Sequence, residues 1–168
     1  MFRRKRGQVW SADFIASMIV FFTAVAIIIF AWNYIIGQNQ EQLSLNEIEN
    51  TALSASDSLI RSPGIPYDWD ETSVTTLGIA EQENVLNTTK ASMFLDMDEL
   101  KIKSLLGISN FEFYWELAYL NGSLIQDASG QDMKKGAEPA ANSRIVVPVQ
   151  RLVVYDGLPA KMAFLLWS

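Results

Sequence analysis

The sequence predicts an α+β protein in which a long N-terminal helix, transmembrane in its first part and amphipathic in its second, packs on a C-terminal antiparallel sheet of about four strands. Three observations carry that prediction. An uncharged apolar run fills residues 14–36, an apolar seam at helical spacing follows it, and the C-terminal half holds alternating or continuous runs of β-branched and aromatic residues. No internal repeat interrupts this order.

The apolar run comes first. Only Ser17, Thr23 and Asn33 break it with polar side chains, and as a helix it spans roughly 34 Å, enough for the hydrocarbon of a bilayer. It is longer than the apolar core of a secretory signal, and no small-residue cleavage pattern follows, so removal of the whole segment is not expected. Arg3, Arg4, Lys5 and Arg6 crowd the N-terminal flank, whereas the first cation beyond the run is Arg61. By the positive-inside rule the N-terminus is cytoplasmic and the remainder lies outside as a single-pass ectodomain. A buried cytosolic core helix fits poorly, since no other segment is large enough to wrap it.

The amphipathic part follows at 37–62. Leu45, Ile48, Ala52, Ala55 and Leu59 recur at spacings of three and four, giving one apolar seam that needs a partner surface. Gly37 and the "GQNQ" run mark a place for a kink or local loss of helix. Pro63 and Gly64 end the helix, and Pro66 forbids its resumption.

Residues 63–168 are expected to form the outer domain. The stretch "YDWDETSVTTLGIAEQENVL" reads as irregular, and "DMDELKIKSLLG" as a short helix with Asp96 and Glu99 at capping-box spacing and Gly107 as its left-handed stop. Leu100, Leu105 and Leu106 would then lie on the sheet. "FEFYWELAYL" alternates Phe111, Phe113, Trp115, Leu117 and Tyr119 against Glu112, Tyr114, Glu116 and Ala118, the period of a half-buried strand. Asn121-Gly122 predicts a hairpin turn, residues 123–126 a short strand, and "DASGQDMKKGAEPAANS" a surface loop. "RIVVPVQRLVVY" and "KMAFLLWS" are the last strands, central or covered on both faces, with Pro148 suggesting a bulge or one lost ladder bond. The short "DGLPA" connection makes that pair antiparallel.

Composition narrows the function. Of 13 Lys plus Arg and 19 Asp plus Glu, four cations and one acid precede residue 37, leaving nine against eighteen beyond it. An acidic ectodomain is well solvated and disfavours nucleic acid. With no His and no Cys the chain cannot build a Cys/His zinc cluster, a Cys nucleophile or a Ser-His-Asp triad. Its nine glycines form no phosphate-binding loop. "DWDE" at 68–71 and "DMDE" at 96–99 lack the glycine and distal glutamate of a calcium loop and read as solvated acids or caps. No catalytic residue, metal or cofactor is expected. "NTT" at Asn87 and "NGS" at Asn121 are glycosylation sequons, although Asn121 is also accounted for by its turn.

The basic leader, the Gly7-Gln8 junction, the acid Asp13 just inside an apolar helix and the amphipathic extension together resemble archaeal type IV pilin-like proteins with a class III signal peptide. The resemblance covers the first third of the chain well and the C-terminal sheet only loosely. It implies that a class III prepilin peptidase removes a leader of residues 1–7 on the cytoplasmic side, leaving the helix 8–36 in the mature subunit. It further implies a structural role, as pilin or minor pilin, with the apolar helix packing against like subunits in a surface filament, and a role for Asp13 in pairing with the new amine of a neighbour. The register departs by one residue. Counting from Gln8 puts Ser11 fourth and Asp13 sixth, whereas counting from Val9 restores the family's third and fifth positions. Cleavage after Gly7, cleavage after Gln8 and an uncut leader stay open. With an uncut leader, Asp13 sits among headgroups beside Arg6 and needs no partner, and the chain is a permanently anchored surface protein whose outer domain binds a partner or surface. Trp10, Trp32 and Tyr34, at the two ends of the run, suit stable membrane residence.

Overall fold

The structure, a computed structural model, describes the backbone of residues 7–168 and the side chains of 12–35 and 45–168. The basic cluster at 3–6 therefore lies outside the described residues. The chain forms two compact units, Met1–Ser44 and Leu45–Ser168. Helix α1, Gly7–Arg61, contributes to both, and its backbone stays helical through Gly37, so the local loss of helix expected there does not occur.

In the first unit the stretch Ala12–Ile35 has a mean hydropathy of 2.8 and is long and apolar enough to cross a membrane. None of it is buried. Two of its polar side chains are satisfied inside the helix: Thr23 Oγ1 donates to the Ile19 carbonyl (2.8 Å) and Asn33 Nδ2 to that of Ile29 (3.0 Å). Such back-bonding presents little unmet polarity to an apolar surrounding.

The second unit begins with the outer turns of α1. Ile48, Ala52, Ala55 and Leu59 are buried, as the seam predicts, whereas Leu45 is 45 % exposed, so the buried seam starts one turn later than expected. Ile60 and Ser56 join it. Beyond α1 the chain runs through β1 (Ala80–Gln82), β2 (Val85–Leu86), α2 (Thr88–Asp96), α3 (Glu99–Leu106), β3 (Glu112–Tyr119), β4 (Lys134–Gly136), β5 (Val146–Tyr155) and β6 (Leu158–Trp167).

The six strands form one sheet in the order β1-β2-β5-β6-β3-β4, with β2 parallel to β5 and the other pairs antiparallel. The expected sheet of about four antiparallel strands is thus corrected to a mixed sheet of six. β1 and β2 arise inside the stretch read as irregular, and β4 inside the stretch read as loop. All three are too short for an alternating pattern to declare them. The strand expected at 123–126 is replaced by isolated bridges, Ala118↔Leu124 and Gln126↔Asp132.

β3, β5 and β6 are the centre of the sheet. β5 and β6 join through Asp156 and Gly157, both at positive φ (50° and 73°), the signature of the two-residue turn that matches strand twist. Their register passes unbroken through Pro148↔Leu165, so no bulge forms there. β5 gains a second neighbour only at Val154 and Tyr155, which leaves Pro148 where the other edge is unpaired and a missing N–H does least harm. β6, flanked by β5 and β3, is buried on both faces, while β5 alternates and is not covered on its outer face as expected.

Register places Phe113, Trp115 and Leu117 on one face with Leu166, Phe164, Met162, Val149, Arg151 and Val153. That face is the core. Phe94 of α2 meets Trp115 edge-on at 5.1 Å, and Phe113 stacks with Phe164 at 6.1 Å. Tyr114 and Ala118, on the opposite face, are buried too, so the strand predicted to be half-buried is more deeply covered than its alternation suggests.

The helices show two further differences. α2 was not anticipated; Asn87 caps it through Lys90 N (3.0 Å), and Ala91, Phe94 and Leu95 are buried. α3 ends at Gly107 with φ 70°, as predicted, but its N-cap is Asp98 rather than Asp96. The helix therefore starts later, burying Ile102 and leaving Leu100 75 % exposed.

Candidate functional site

The sequence-predicted assembly residues lie at the start of α1. Gly7, Gln8 and Val9 are helical in backbone, with side chains outside the described residues. Asp13 is exposed at the beginning of the apolar stretch, and the Arg6 expected beside it lies outside the described residues. Beyond it the helix shows mainly apolar surface, broken by Ser17, Thr23 and Asn33: Phe14 is 69 % and Phe30 81 % exposed, and Trp32 and Tyr34 near the far end are 67 % and 68 % exposed. Contiguous apolar surface on this scale calls for lipid or another protein.

The outer unit carries its own fastenings. Asp57 of α1 and Arg151 of β5 approach at 2.8 Å between Oδ1 and Nη2. The contact is an ion pair out of line for a hydrogen bond, because Asp57 Oδ1 and Arg151 Nε are both buried without a hydrogen-bond partner. With both side chains partly solvated it contributes little, on the order of 0–1 kcal/mol. Past the end of α1, the Pro63 carbonyl accepts from Trp69 Nε1 (3.0 Å) and Lys90 Nζ (2.7 Å). Burial lowers the Lys90 pKa, against the pull of Asp68 and Glu81, and its ammonium also lies 4.3 Å from the centre of the Tyr67 ring.

The two acidic clusters resolve into local caps. Asp70 Oδ1 accepts from the backbone and hydroxyl of Thr72 and of Ser73, and Asp98 caps α3. Among the described residues no group of three or more acids gathers as a metal site would. Of the sequons, Asn87 is half-buried with its Oδ1 spent on the α2 cap, while Asn121 is exposed and accepts from Ser123 N (3.0 Å) and Oγ (2.8 Å).

Two open clefts mark the outer unit. One, about 430 Å³, lies by Tyr114, Lys134 and Glu138; the other, about 500 Å³, lies between α2 and the ends of β3 and β5. The second unites Thr88, Thr89, Tyr119 and Tyr155. Thr88 and Thr89 belong to the Asn87 sequon and Tyr119 to the alternating strand, but no sequence signal joins them to one another or to Tyr155.

Compared with known proteins, the chain matches no family model, no curated protein and no solved structure.

Proposed function

We propose that the chain is a structural subunit, a pilin or minor pilin, of a type IV pilus-like surface filament, anchored before assembly by its apolar helix with the N-terminus cytoplasmic and the outer unit extracellular. What supports the reading is one observation: an apolar stretch, Ala12–Ile35, none of it buried, joined to a unit that already has its own closed core. The stretch has nothing to do for the folding of that core. It is surface kept for lipid, for like subunits, or for one after the other.

Leader removal is the step that separates these. Loss of Arg3–Arg6 takes away the charges that hold the helix at the cytoplasmic face, and the freed amine offers Asp13 a partner on a neighbouring subunit. N-terminal sequencing of the native protein should therefore return Gln8 or Val9, and Asp13→Asn should abolish filaments while leaving the outer unit folded. Normal filament yield from that variant would refute the role of the carboxylate. A start at Met1 or Phe2 would favour the second reading, a permanently anchored surface protein, which the exposed Trp32 and Tyr34 suit because aromatic rings settle at the bilayer interface.

A further inference from the structure

The cleft between α2 and the sheet has a composition that selects a ligand class. It is assembled at one end of the sheet, where β3 stops at Tyr119, β5 stops at Tyr155, and α2 begins just after β2. The β5–β6 turn brings Asp156 to its rim, and the segment after β3 brings Asp127. Its volume, about 500 Å³, falls in the usual range for small-molecule sites, roughly 300–1,000 Å³.

Tyr155 is only 7 % exposed and lines the cleft. Its pKa is raised by burial first and then by Asp156, Asp127 and Tyr119, three neighbours that also line the cleft. Tyr119 is 37 % exposed and offers ring surface, and Thr88 and Thr89 lie exposed in the first turn of α2. The cleft therefore presents hydroxyls that donate and accept, carboxylates that accept, and aromatic surface.

Charge and occupancy disfavour two competing classes. Among the described residues no Lys or Arg lines the cleft, and two carboxylates do, so anions are repelled. A metal ion is poorly served, because among the described residues only the carboxylates of Asp127 and Asp156 line the cleft, and Asp127 Oδ1 already accepts from Ser129 N (2.8 Å), Ser129 Oγ (2.7 Å) and Gln131 N (2.9 Å). A neutral polyol has what fits: hydroxyls for the acceptors and donors, and a C–H face for the Tyr119 ring. We propose that this cleft binds a neutral saccharide, with Tyr119 as the aromatic platform and Thr88, Thr89 and Asp156 as hydrogen-bonding groups. The proposal goes beyond the filament reading and does not depend on it, since the cleft belongs wholly to the outer unit.

The test is calorimetric titration of the full chain, held in a zwitterionic detergent without sugar headgroups, with four neutral probes: maltotriose, mannotriose, chitotriose and lactose. At least one should bind saturably. Tyr119→Ala should weaken that binding by about tenfold or more, Asp156→Asn should weaken it less, and Glu138→Gln at the other cleft should leave it unchanged. Matching thermal melts of the variants separate lost binding from lost fold. Absence of binding by all four probes at about 10 mM, where even weak sites of millimolar Kd fill, would overturn the proposal. So would undiminished binding by a folded Tyr119→Ala protein. Neither result bears on leader processing or filament yield.

Discussion

Trp69 holds the chain where the long helix gives way to irregular backbone. Its indole N–H is shared between the Pro63 and Gly78 carbonyls, at 3.0 and 2.9 Å, and its ring is fully buried. The fit leaves no room for side chains nearby: a Cβ at Gly64 would sit 2.4 Å from the indole nitrogen, and one at Gly78 2.2 Å from the Ser62 carbonyl oxygen. The next residue, Asp70, makes this region sensitive to acid. The Thr72 hydroxyl, then the backbone and hydroxyl of Ser73, lower its pKa from 3.8 to about 2. Since the folded value lies below the unfolded one, the contribution of the carboxylate is whole above 3.8 and is lost as pH falls through about 2. Asp70→Asn should therefore lower Tm at neutral pH and flatten the acid limb of Tm against pH, measured by circular dichroism. Parallel curves for the two proteins would show that the capped turn does not couple to folding.

Helix α3 tests the reading of caps. The spacing of Asp96 and Glu99 suggests a capping box, yet Asp98 accepts from Lys101 N and Asp96 belongs to the end of α2. Two short helices abut here, and which acid serves as cap depends on where the first one stops. Asp98→Ala should destabilise the protein by about 0.5–2 kcal/mol in urea denaturation, and Asp96→Ala by less than about 0.5 kcal/mol. Equal losses would restore the earlier boundary. α1 shows the reverse case, because its seam was legible from periodicity alone: Ile48, Ala52, Ala55 and Leu59 lie on one face of any helix, and that face is buried in the core cluster. The hidden element was α2, whose spacing of Ala91, Phe94 and Leu95 after the capping Asn87 is a readable signal in a short segment.

Taken whole, the molecule divides its labour. The core cluster runs from Ile48 to Leu166 and includes no residue of the apolar stretch Ala12–Ile35. Residues 45–168 alone should consequently fold in water with one cooperative thermal transition. Within that fragment Leu59→Ala, which empties a fully buried site, should lower stability by about 2–5 kcal/mol. A fragment that melts without cooperativity would mean that the apolar helix supports the fold as well as any partner it meets.

The sequence by itself determined the long apolar helix, the seam that continues it and the strands β3, β5 and β6, because each carries its signal over many consecutive residues, and it set the stop at Pro63-Gly64 through the backbone limits of those two residues. The asymmetric cations and the Asp13 boundary, on which the proposed leader step rests, are likewise local facts of composition. Tertiary structure alone decided the rest. β1, β2 and β4 are two or three residues long and exist only because a neighbouring strand accepts their backbone groups. The parallel pairing of β2 with β5, and the gathering of Tyr119, Tyr155, Thr88 and Thr89 into one cleft, join residues far apart in sequence, and no periodicity encodes a meeting that only the closed sheet brings about.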